Sequence, residues 1–208
     1  MSFWVRLMAR KRRSDRKLNK KIYIFCEGKT EKNYFDMLAR KYRKSTQISI
    51  TAKEVSKTAI DLINYANNFI DQLSKQKKEE IGQIFIIFDK DQITETSIKK
   101  SFEKARKLNY NIGFSNASFE LWVLLHFVDV NRHLNQKDLE RRLEKELKLD
   151  NYSRSKGSID MISKLEDNVY LAMKNGSKFD DDYAEKCDNN PYTNLKYVIE
   201  EIFKLDRY

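Results

Sequence analysis

Two continuous apolar runs, Ile22-Tyr23-Ile24-Phe25-Cys26 and Ile84-Phe85-Ile86-Ile87-Phe88, constrain what this chain can fold into more than anything else in it. Neither alternates apolar with polar residues, and both are rich in β-branched and aromatic side chains. Such runs read as strands covered on both faces, the pattern of a parallel sheet. Each ends in acid. Glu27-Gly28-Lys29-Thr30-Glu31 follows the first, and Asp89-Lys90-Asp91 follows the second. Carboxylates at the carboxyl ends of strands lie where open α/β sheets hold their ligands. Acidic groups converging there repel one another unless a cation lies between them, so the pattern predicts a Mg²⁺-type site.

The intervening sequence alternates accordingly. A helix is expected over 30–43, with Tyr34, Phe35, Leu38 and Tyr42 near helical spacing, then a short strand at Ile48–Thr51. A second helix runs from Thr58 to Leu73, where Thr58-x-x-Asp61 resembles a capping signal. Strand 84–88, a helix near 95–107, a short strand at 111–114 and an apolar helix over 117–128 follow. This β-α-β-α-β-α-β-α order predicts an α/β fold: a small, mostly parallel, four-stranded sheet with helices on both faces. Beyond Asp129 the pattern is helical, over 136–149 and 158–173. A last helix is expected to open at Asn190-Pro191, with Asn as cap and Pro at the first helical position. Segments 153–158 and 175–188 read as loops, with Asp180-Asp181-Asp182 solvated. The expected organisation is an arm over 1–21, an α/β domain over 22–128 and a helical C-terminal extension over 129–208 packed on it.

Charge is concentrated at one end. Of the formal net charge of +10, residues 1–21 hold +8, centred on Arg10-Lys11-Arg12-Arg13. Such an arm either neutralises phosphates or is a solvated tail. Cys26 and Cys187 lack metal-ligand spacing and suit a reducing, cytoplasmic setting. No apolar run approaches the roughly 20 residues of a membrane helix, and Met1-Ser2-Phe3-Trp4-Val5-Arg6 lacks signal-peptide order.

Two tempting motifs fail. Gly28-Lys29-Thr30 ends like a P-loop, but the position that needs the motif's first glycine is Tyr23, inside a strand. Asp89-x-Asp91 starts like an EF-hand loop, but its sixth position is Thr94 and its twelfth is Lys100. Glu31 alone is explained by the dipole of the helix it opens. Glu27 is harder to dismiss, because a strand-to-helix turn aims it at the sheet edge, and Gly28 permits close approach of a ligand. Asp89 and Asp91, two apart on an extended segment, point the same way. With His126 and His133 the only histidines and no clustered Cys, the residues argue against zinc, and His126 fits a buried, hydrogen-bonded role. Asn116 is placed to cap the apolar helix, and Glu120 in its first turn is either a dipole-favoured residue or a further acidic group of the site.

Taken together, Glu27-Gly28-Lys29-Thr30-Glu31, Phe88-Asp89-Lys90-Asp91, Ser115-Asn116-Ala117-Ser118-Phe119-Glu120-Leu121-Trp122 with Leu125-His126-Phe127, and Asn190-Pro191-x-Thr193-Asn194 resemble RloB-like proteins, the group that includes the phage abortive-infection component AbiLii. The resemblance spans roughly residues 20–205, with Ala117 where the family usually has Pro. It implies a Toprim-like fold and a Mg²⁺-dependent (or Mn²⁺-dependent) nuclease of bacterial anti-phage defence, often accompanied by a partner ATPase. By position it implies Glu27, Asp89 and Asp91 as catalytic and metal-binding residues, with Glu31 as a second acidic position and Glu120 a further candidate. Lys29 and the arm residues Arg10, Lys11, Arg12 and Arg13 would contact DNA or RNA. The competing expectation is a non-catalytic nucleic-acid-binding or sensor module that works with an ATPase. A homo-oligomer is compatible with either.

Overall fold

The computed structural model describes residues 20–42, 49–55, 59–90 and 93–205. The first half alternates strands and helices: β1 (Lys21–Cys26), α1 (Lys29–Lys41), β2 (Ser49–Glu54), α2 (Ala59–Asp71), α3 (Lys75–Glu79), β3 (Ile81–Asp89), α4 (Glu95–Lys107), β4 (Asn111–Asn116) and α5 (Glu120–Leu125). The second half is helical apart from one short strand: α6 (Gln136–Leu147), α7 (Tyr152–Ser155), α8 (Ile159–Ser163), α9 (Val169–Gly176), α10 (Tyr183–Lys186), β5 (Tyr192–Thr193) and α11 (Leu195–Phe203). The fold is thus α/β, a mostly parallel sheet flanked by helices, as the alternating pattern predicts.

The sheet order is β2-β1-β3-β4-β5. The first three pairings are parallel and the last is antiparallel. From β1 the chain crosses first to one neighbour, β2, and later to the other, β3. The gap beyond the carboxyl ends of β1 and β3 is therefore the switch point of the sheet. Cys26 lies level with Ile87, so the turn after β1 and the end of β3 sit side by side.

Burial explains why the two central strands read as unbroken apolar runs. Ile22, Ile24, Cys26, Phe85 and Ile87 face one core, closed by residues of α1, α5, α6, α8, α9 and α11. Tyr23, Phe25, Ile84, Ile86 and Phe88 face a second core with Ile112 and Phe114, covered by α2 and α4. Neither face is solvated, so neither alternating position needs to be polar.

Several expectations are corrected. The sheet has five strands; the fifth is only two residues long, pairing Ser115 with Thr193 and Asn116 with Tyr192. Asn190-Pro191 does not open a helix. Its peptide bond is cis, and the Asn190 amide bonds both ways to Leu134, accepting from its N–H (3.2 Å) and donating to its carbonyl (3.0 Å). The last helix begins after Asn194, whose side chain extends the edge of β4. Its Oδ1 accepts from Phe114 N–H (2.8 Å), and its Nδ2 donates to the Ile112 carbonyl (2.9 Å). Asn116 does not cap α5 but donates to the Cys187 carbonyl (3.0 Å), and the Asn116–Ala117 peptide is also cis. The expected helix over 158–173 breaks at a 3₁₀ turn, Glu166–Asn168. The acidic triplet is only partly solvated: Asp182 accepts from Glu185 N–H at the start of α10, and Asp181 accepts from Asn194 Nδ2 (3.0 Å). The Thr58 cap lies outside the described residues. Among the described residues no helix is long and apolar enough to cross a membrane.

Candidate functional site

At the switch point the chain leaves β1 through Glu27 and Gly28 and enters α1 at Lys29. Gly28 has extended backbone at the helix N-cap. A Cβ there would lie 2.8 Å from Glu31 Oε2, so the missing side chain is what gives the Glu31 carboxyl its room. Glu31, in the first turn of α1, is buried. Asp89 closes β3, and the backbone N–H of Lys90 after it bonds the Ser115 carbonyl of β4 (2.9 Å). Glu120 opens α5 and is 1 % exposed. Together Glu27, Glu31, Asp89 and Glu120 line one open pocket of about 540 Å³.

Four of the five acidic residues expected at a site therefore meet in space. The fifth, Asp91, lies outside the described residues, as do Arg10, Lys11, Arg12 and Arg13. Lys29 is exposed and stands on the pocket rim. His126 is not in the pocket. It is buried, with Nδ1 on the Trp122 carbonyl (3.0 Å) and Nε2 on the Tyr34 hydroxyl (3.1 Å). A carbonyl can only accept, so Nδ1 carries the proton and Nε2 accepts from Tyr34.

Crowded carboxyl groups shift one another. Burial pushes Glu31 up to about 7, a rise to which the Glu120 charge adds and which Lys156 opposes. Asp89 is held well above the usual carboxylate range by burial first, then by Glu31, Glu120 and Glu27. Glu120 behaves oppositely. Burial alone would raise it, but Lys156 beside it outweighs that and holds it below its ordinary value. The Lys156 ammonium lies 2.6 Å from Glu120 Oε1, and the Tyr152 hydroxyl donates to the same oxygen at 3.4 Å.

Lys156 and Tyr152 come from the second half of the chain, as do the pocket residues Gln136 and Ser153, and no motif marks any of them. The one signal was indirect: a glutamate inside an apolar helix needs a partner. That signal does not name the lysine, and Glu120 stands both in the first turn of α5 and on the pocket wall.

The donor set consists of carboxylate oxygens, which suits a hard divalent cation of the Mg²⁺ class and not a thiophilic one. Such a cation would also reverse the upward shifts at Glu31 and Asp89. Among the described residues, however, no three His, Cys, Asp or Glu side chains already stand together as a metal cage.

Fold and site define a small α/β protein with an open acidic pocket at the switch point of a mostly parallel sheet. Within that class the chain belongs to the RloB-like protein family, whose sequence model matches residues 22–202. The match runs from the first strand into the last helix and contains every pocket residue. No curated protein and no solved structure matches the chain.

Proposed function

We propose that this RloB-like protein is a Mg²⁺-dependent nuclease that hydrolyses phosphodiester bonds of DNA or RNA in bacterial anti-phage defence. The observation that carries the reading is the pocket itself: four carboxyl groups at one switch point, two of them pushed toward the protonated state by burial and by one another. The resemblance of the motifs to those of Toprim-related and AbiLii proteins supports the same chemistry. Glu27 and Asp89 would hold the ion with Asp91, and Glu31 and Glu120 are further oxygen donors. Bound there, Mg²⁺ supplies charge stabilisation at a phosphate oxygen and a more acidic water. Glu27 would accept a proton from that water as general base. Lys29 on the rim would contact a phosphate, and the basic segment Arg10–Arg13 would hold the polyanion.

Glu27→Ala and Asp89→Ala are expected to lower Mg²⁺-dependent cleavage of DNA or RNA by about 10²-fold or more, with thermal unfolding still cooperative. Cleavage at the native rate in either variant would sink the assignment. One observation favours a second reading, a non-catalytic nucleic-acid-binding or sensor module acting with a partner ATPase: no metal cage is preassembled among the described residues. That reading expects both alanine variants to be tolerated and loss of residues 1–20 to abolish function.

A further inference from the structure

The acidic pocket already contains a cation of the protein's own. Lys156 Nζ lies 2.6 Å from Oε1 of Glu120, the most buried carboxyl group of the four. An exposed lysine pair would carry little weight, but here one partner is 1 % exposed, and removing the lysine would leave a buried charge uncompensated.

The lysine is delivered by a loop fixed on both sides. Before it, Tyr152 N–H donates to Glu144 Oε1 (3.0 Å), and Lys156 N–H donates to the Tyr152 carbonyl (2.7 Å). After it, the Gly157 carbonyl accepts from Asn33 Nδ2 of α1 (2.7 Å). Gly157 has φ +68°, and a Cβ there would lie 3.0 Å from Thr30 N. The loop therefore lies directly on the first turn of α1, the turn that carries Glu31. Only a glycine allows both that backbone conformation and that approach. Glu120 Oε2, by contrast, is buried with no hydrogen bond among the described residues.

We infer that Lys156 is a tethered cation standing where a second divalent ion would otherwise sit, so that the pocket takes one metal ion and leaves one Glu120 oxygen to it. Lys156 is a positioning residue in this role: it fixes the charge and orientation of Glu120. The inference rests on the metal-dependent reading of the same pocket.

The test is Mn²⁺ titration of the full chain, counting bound ions by electron paramagnetic resonance. Three forms are compared at one pH and ionic strength: native, Lys156→Gln and Lys156→Arg. The expected counts are one, two and one. A purely structural lysine would not change the count when replaced by glutamine. Two ions in the native chain overturn the inference whether or not Lys156→Gln folds. A count of one in both the native chain and a folded Lys156→Gln overturns it too, and leaves the metal-dependent reading standing. No ion in the native chain but one or more in Lys156→Gln overturns the inference, because the native pocket then takes no metal ion. No ion in any form overturns both.

Discussion

His126 shows how one buried side chain sets a pH limit on the fold. Both ring nitrogens are satisfied in the neutral form, by the Trp122 carbonyl and the Tyr34 hydroxyl. Burial, the largest effect, pushes its pKa down to about 4. A depressed histidine binds fewer protons folded than unfolded, so its contribution is complete above its ordinary value near 6.5 and is lost as pH falls through about 4. Between those pH values the native protein should lose on the order of 3 kcal/mol relative to His126→Gln, read from urea unfolding of the two proteins in parallel. The comparison is needed because Glu31 and Asp89, shifted upward, favour the folded state in the opposite direction as pH falls. Gly28 carries a different residue-scale expectation. A methyl group there meets Glu31 Oε2 at 2.8 Å, so Gly28→Ala should displace that carboxyl and weaken divalent-ion binding about 10-fold or more in calorimetry, with little change in melting temperature.

At the scale of elements, legibility followed burial. The strands β1 and β3 are covered on both faces, and that alone wrote the continuous runs seen in the sequence. The helix over 95–107 was legible because Thr94 caps it and its buried positions Ile98, Phe102 and Ala105 repeat at helical spacing. β5 was not legible, since a two-residue strand leaves no periodicity, and Asn190-Pro191 mimicked a helix start while its amide was committed to Leu134. At Gly113, β4 packs closely against β3 and α11. A Cβ there would lie 2.5 Å from Ile87 Cδ1 and 3.1 Å from Leu195 Cδ2. Gly113→Ala should therefore cost about 1–3 kcal/mol by overpacking, seen as a lower urea midpoint with an unchanged slope. An unchanged midpoint would mean that the helix and strand slide apart freely.

For the molecule as a whole, the sequence suggests an α/β domain with a helical extension packed on it, and helices from both parts close the same core. One face of the sheet is covered by α6, α8, α9 and α11 together with α1 and α5. The acidic pocket takes its carboxyl groups from the first half of the chain and Lys156 from the second. A chain ending at residue 128 should accordingly fail to unfold cooperatively in calorimetry, since one sheet face and β4 would lose their cover. The carboxylates of the site were legible because they follow strands directly. Lys156 was not, because nothing local distinguishes it from other lysines; its role arises only when the loop it sits on is laid against α1. A sheet also has to end somewhere, and an exposed strand edge invites pairing with another chain. Past the short β5, the outer edge of β4 is met by the single amide of Asn194, which takes the Phe114 donor and the Ile112 acceptor. A side chain stands there in place of a strand, and denies a foreign strand its template for edge-to-edge aggregation.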